Sequence, residues 1–154
     1  MSVKVSHITH VSNLNNIIAE GCLWSDAKRI ELNLTNENIG YSHIKARRLQ
    51  HPVTVAAGGY IGEYVPFNFC PRSVMLYVIH QGHENYHGGQ EQIDDFSRID
   101  ELDSKKIHAK YWQDCKEEKQ AEFLAHQSVS WNYIRQIGVK TPELAEEVKN
   151  YRII

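Results

Sequence analysis

Glu122 lies in the run Gln120-Ala121-Glu122-Phe123-Leu124-Ala125-His126, a carboxylate among apolar neighbours that reads as a short strand. Such a carboxylate can stabilise positive charge in a cleft, or it can be half of an ion pair. Residue type alone does not choose. Three other groups bear on the choice. His10 falls where a strand-like stretch (Val3, Val5, Ile8) gives way to the helical spacing of Leu14, Ile17 and Ile18. Lys45, Arg47 and Arg48 form a compact basic cluster. It is either a solvated helix end that suits the C-terminal dipole or a clamp for phosphates, which arginine's fork fits. His80, His83 and His87 share a glycine-rich loop. Their flanks supply neither a firm fourth ligand nor a helical frame, so no metal is expected there.

The elements that must position these groups follow from pattern. Ser12 is a candidate N-cap for a first helix and Gly21 its stop. Cys22 to Asn38 reads as an irregular loop. Residues 39–49 suit a helix, on which Ile44 and Arg48, four apart, share a side. Gly58-Gly59 predicts a tight turn or a close backbone approach. In the stretch from Tyr64 to Ser73, Pro66 and Pro71 bracket an aromatic run that is too proline-rich for a central strand. Val74 to Ile79 is continuously apolar, as for a strand buried on both faces. Gln90 to Ile93 is a further short strand candidate, Asp94 to Asp103 a polar connection, and Lys105 to Trp112 a helix candidate. Ser128 to Ile137 reads as a turn or helix, and Thr141-Pro142 opens a terminal helix with Leu144, Val148 and Tyr151 on one face.

Composition bounds the class. A chain of 154 residues suits one domain, residues 1–154, and 42 % hydrophobic with 23 % charged residues is ordinary globular usage. A net charge of −2 excludes a polycation that coats nucleic acid, so any such contact must be local. Three widely spaced cysteines without a signal peptide point to free thiols in a reducing cytoplasm. No apolar run has membrane-spanning length, and a soluble protein is expected.

Taken in order, the segments resemble the DarT family of ADP-ribosyltransferase toxins, which modify bases of single-stranded DNA using NAD. The matching pieces are Ile8-Thr9-His10-Val11, Ile39-Gly40-Tyr41 through Arg47-Arg48, Tyr64-Val65-Pro66-Phe67 through Pro71-Arg72-Ser73 to Tyr77, Gly89-Gln90, Gln120 to Leu124, and Trp131 through Gly138-Val139. The resemblance covers most of the chain, and its most specific tract is the proline-bracketed one. It implies an α+β fold of the ADP-ribosyltransferase type, two small mixed or antiparallel sheets around an NAD cleft with flanking helices. It implies Glu122 and Arg48 as the catalytic pair, with Arg48 favoured over Arg47 by its helical side. It also implies His10, Thr9, Arg47 and Tyr41 as contacts to NAD, and Arg72, Lys45 and Tyr64 as contacts to DNA. The expected partners are single-stranded DNA and an antitoxin of the macrodomain type.

One departure stands out. Where the family carries a further apolar strand and a Trp-Phe-Thr-Asp-like tract, Gln92-Ile93-Asp94 runs almost directly into Asp95-Phe96-Ser97. The gap removes part of the acceptor side and leaves the NAD-facing residues in place. Two rival readings keep the residues but change the role: the same fold with RNA, protein or a small molecule as acceptor, or a non-catalytic module that holds nucleotide or nucleic acid through Arg47-Arg48. Slow NAD cleavage separates a transferase from a binder.

Overall fold

The structure is a computed structural model of the chain, and it describes residues 3–71, 92, 95–111 and 113–151. Helix α1 (Leu14–Glu20) is entered through a 3-10 turn, Val11–Asn13, and ends at Gly21, whose φ of 69° is the left-handed conformation a glycine cap provides. Strand β1 (Cys22–Trp24) and helix α2 (Asp26–Glu31) follow at once. The expected irregular loop therefore holds two elements. Each is short, three and six residues, so neither develops a periodic pattern, but the α2 start is marked by Ser25, which accepts from the Lys28 amide at 3.2 Å. Helix α3 (Ser42–Arg48) lies where the spacing placed it.

Strand β2 (Tyr64–Asn68) pairs antiparallel with β3 (Glu122–His126), and β1 pairs antiparallel with β4 (Ser128–Ser130). Pro66 thus sits inside a paired strand, contrary to the sequence reading. The alternation of the ladder explains it. Asn68 sends both its amide and its carbonyl to Ser6, at 2.9 Å each, on the side away from β3. Pro66 has the same parity, so its missing N–H faces that side too and removes no bond to β3. The expected N-terminal strand reduces to this one bridge, Ser6 with Asn68.

The buried core is Leu23, Val65 and Phe67, with Val5, Ile17, Phe123, Ala125, Val129 and Ile134 packed against it. Both sheets contribute to it, and β3 passes into β4 through Gln127 at a φ of 61°. Downstream of β2 the described residues form a 3-10 turn (Phe96–Glu101), helix α4 (Ser104–Ile107) and helix α5 (Lys116–Lys119). A 3-10 turn (Trp131–Tyr133) follows β4, then helix α6 (Pro142–Asn150), where Thr141 accepts from the Leu144 amide at 3.3 Å. The helix expected over 105–112 is thus a four-residue turn, capped by Asp103. The apolar run 74–79, the histidines at 80, 83 and 87 and the Gly89-Gln90 pair lie outside the described residues. Of the 90–93 stretch Gln92 is described, and its side chain bonds the Thr54 amide and the Pro52 carbonyl. No helix among the described residues is long and apolar enough to cross a membrane.

Candidate active site

Glu122 is the first residue of β3 and stands opposite Asn68, which is buried. Its side chain is 17 % exposed, and one carboxylate oxygen accepts from Arg48 Nη1 at 3.0 Å. Arg48 comes from the last turn of α3, 74 positions earlier in the chain, so the pair exists only because α3 docks beside the sheet. A glycine permits that docking. A Cβ on Gly62 would lie 2.5 Å from Leu49 Cδ2 and 3.0 Å from Leu49 Cα, so the backbone before β2 approaches the end of α3 where no other residue fits. Lys45 adds a tie from α3 to α2 by donating to Asp26 at 3.1 Å. The second fork nitrogen of Arg48, Nη2, is buried and has no partner among the described residues. A buried donor without a partner is costly, and a ligand oxygen would satisfy it.

His7 is the residue that sequence reasoning missed. Its Nδ1 donates to the Pro66 carbonyl at 2.8 Å and its ring packs against Phe67 at 5.6 Å. With Nδ1 carrying the proton, the neutral ring presents Nε2 as an acceptor. Burial holds its pKa below the ordinary 6.5. The Pro66 bond and the charges of Asp26 and Glu122 oppose that shift, and Lys45 reinforces it. His7 is therefore in electrostatic reach of Glu122, and it also lines a cleft walled by Thr9, Asn13, Trp24, Arg29 and Thr35. The cue was available: His7 falls on the same side as Val3 and Val5 along the extended N-terminal arm.

The outer wall of that cleft is the loop after α2. Buried Asn13 holds it in both directions, donating to the Glu37 carbonyl at 2.9 Å and accepting from the Glu37 amide at 2.7 Å. Asn13 also donates to Thr9 Oγ1 at 3.1 Å, and Asn16 donates to the Thr35 carbonyl at 3.2 Å. Arg29 reaches the Leu34 carbonyl at 3.0 Å, while its Nε is buried without a partner among the described residues.

The remaining sequence candidates fall into place around this centre. His10 is exposed; its Nδ1 sits 2.7 Å from Ser12 Oγ and accepts from the Ser12 amide, so it caps the first turn. Arg47 is exposed, whereas Arg48 beside it is partly buried. Tyr41 stacks on His43 at 5.7 Å. Tyr64 is not placed to stack on a base: it is 5 % exposed and its hydroxyl donates to the Gly58 carbonyl. Arg72 lies outside the described residues. Phe67 is core.

Comparison with known proteins bears directly on this arrangement. The family model described as "ssDNA thymidine ADP-ribosyltransferase, DarT" matches residues 6–96 and 93–152. A DNA ADP-ribosyl transferase of Thermus aquaticus is 32 % identical over 178 residues, covering 95 % of this chain and 79 % of its own. The solved structure of Thermus sp. 2.9 DarT in complex with ADP-ribosylated ssDNA superposes with a TM-score of 0.82 at 31 % identity, covering 94 % of this chain and 85 % of that one. The same protein in complex with NAD+ gives a TM-score of 0.78 at 29 % identity, with coverage of 94 % and 85 %. The 178-residue alignment is longer than this 154-residue chain, so the relative carries internal residues that this chain lacks. The two matched segments of the family model meet at residues 93–96, where the sequence departs from the family pattern. With its fold and its matched length, this chain belongs to the DarT family, in a shortened form.

Proposed function

We propose that this chain transfers ADP-ribose from NAD to thymidine in single-stranded DNA, with residues 1–154 acting as one transferase domain. The observation that carries the reading is the Arg48–Glu122 pair, 3.0 Å apart and partly buried, with His7 in electrostatic reach of the carboxylate. Family membership supplies NAD as co-substrate and thymidine as acceptor.

The chemistry needs this arrangement. Loss of nicotinamide from NAD leaves positive charge on the ribose, as in glycoside cleavage. The Glu122 carboxylate stabilises that charge and accepts from the ribose 2′-hydroxyl, a preorganised contribution of several kcal/mol. Neutral His7 offers Nε2 to the hydroxyls or amide of the nicotinamide riboside. Arg48 Nη2 and Arg29 Nε are buried donors with the chemistry for anionic oxygens of the pyrophosphate or for a carbonyl of the incoming base. Thymine carries one ring N–H. As that nitrogen attacks the ribose carbon, its proton leaves to Glu122, and no covalent enzyme intermediate is needed. His10 contributes a helix cap and Lys45 a strut to Asp26, so neither has a direct part in this scheme. Thr9, Tyr41 and Arg47 remain candidates for the outer contacts to NAD, and Arg72 for DNA.

Modified thymidine blocks copying of a template, so the activity is that of a toxin in the cytoplasm. Its antitoxin is a macrodomain-type protein that binds or removes ADP-ribose. Incubation with NAD and single-stranded oligonucleotides tests the reading. One ADP-ribose is expected on oligonucleotides that contain thymidine and none on those that lack it. Transfer to RNA or protein alone would move the acceptor, and NAD binding without cleavage would make the chain a binding module.

A further inference from the structure

A second chemical pair lies next to the catalytic strand and has no part in the scheme above. Cys70, two residues past β2, is 2 % exposed, and Lys119, three residues before Glu122, is 5 % exposed. The Lys119 amine stands 3.6 Å from Cys70 Sγ and also donates to the carbonyls of Ile107 at 3.1 Å and Ala109 at 2.7 Å. A lysine is seldom this buried, and here the group it faces besides the two carbonyls is a thiol. All three cysteines are free, so the partner the structure gives Cys70 is an amine and not a second sulfur.

We propose that Cys70 and Lys119 form a covalent link under hydrogen peroxide, tying the end of β2 to the approach of Glu122. The Cys70 thiolate attacks one peroxide oxygen. The O–O bond breaks, the sulfur is oxidised by two electrons to a sulfenic acid, and the departing hydroxide takes a proton from the Lys119 ammonium to leave as water. The Lys119 amine, having given up that proton, then attacks that sulfur. The S–N bond forms, the S–O bond breaks, and the sulfenyl oxygen leaves as a second water with a proton from the amine. One peroxide is consumed, and the protein loses two hydrogens. With a second peroxide the S–N and O–O bonds break, one peroxide oxygen becomes bonded to both sulfur and nitrogen, and the other leaves as water, giving an S–O–N link between the same residues. The flexible lysine stem supplies the closing movement, and burial favours capture by the neighbouring amine over further oxidation.

The link joins two points that flank the Asn68–Glu122 register, so it restrains the segment 107–121 that leads into Glu122. Its detection does not depend on any transferase activity. The full chain is treated with hydrogen peroxide, digested with trypsin and mapped by mass spectrometry, with and without later thiol reductant. The expected result is a Cys70–Lys119 cross-linked peptide, uncut after Lys119, that lacks two hydrogens or lacks two hydrogens and carries one oxygen. The reductant should restore the separate peptides. Cys115→Ser should keep the link, because Cys115 Sγ faces the carbonyls of Lys106 and Tyr111 instead. Cys70→Ser and Lys119→Arg should each abolish it. Should either variant fail to fold, the wild-type map still decides. Peroxide-treated protein in which Cys70 is unmodified, or ends as sulfinate with Lys119 free, would overturn the proposal.

Discussion

The two halves of the site are held in different ways. Glu122 is placed by backbone pairing: β3 lies in register with β2, and the carboxylate appears where the ladder puts it, opposite Asn68. The wall of the cleft is placed by side chains. Asn13 and Asn16 reach across 24 and 19 positions to hold the loop carbonyls and amide that cover it. Ladder contacts form and break cooperatively, whereas a loop hung on two asparagines opens at the cost of a few hydrogen bonds. The catalytic half should therefore be rigid. The cleft wall should open and close, as binding of a ligand as large as NAD requires.

Substitutions can break this contrast. Glu122→Gln keeps the strand and the size of the side chain but removes the charge. Transfer should fall by about 10²–10³-fold or more, with NAD affinity nearly unchanged, since the lost interaction grows only as the ribose becomes cationic. Single-turnover transfer beside calorimetric binding measures the split. Arg48→Lys keeps the charge but not the fork, and transfer should drop by about 10–100-fold. Gly62→Ala should give a smaller loss of the same kind by pushing α3 away from Glu122, with folded protein retained in circular dichroism.

The loop half should respond differently. Asn13→Ala leaves the Glu37 amide and carbonyl without their partner and should cost about 1–3 kcal/mol of stability. It should raise the KM for NAD while kcat holds. Equal losses in both parameters would place the loop in the chemistry. His7 links the halves and adds a pH signature. Because its folded pKa lies below 6.5, its contribution to stability is complete above that value. It is lost as pH falls, when the unfolded chain takes up a proton that the folded ring resists. Urea midpoints should decline below pH 6.5 and the decline should shrink in His7→Gln. The smallest effect is expected for His10→Ala. Losing an exposed cap costs about 1 kcal/mol or less, with activity nearly intact.

What could be read from the residues tracks the same division. Glu122 and Arg48 were singled out by the family resemblance, with a strand pattern around one and a helical spacing for the other, and the fold brings the two side chains together. α6 was legible because Thr141 and Pro142 announce it. β1 and α2 were not, since three and six residues carry no period. β2 was hidden by Pro66, whose harmlessness depends on which side of the ladder it faces, a fact of pairing and not of sequence. His10 drew attention over His7 because it stands at a strand–helix junction. Only the fold shows that His10 bonds the first turn of its own helix through Nδ1 and that His7 bonds the Pro66 carbonyl. The break in the family pattern at 93–96 was visible in the residues and is matched by the two family segments.

A crystal structure of this chain with a non-cleavable NAD analogue tests the central claim most directly. The account predicts the nicotinamide ribose between His7 and Glu122, a Glu122 oxygen at hydrogen-bond distance from the 2′-hydroxyl, and the Arg48 fork satisfied. An analogue bound with its ribose against His10 and Arg47, or with the Arg48–Glu122 pair intact and away from ligand, would contradict it.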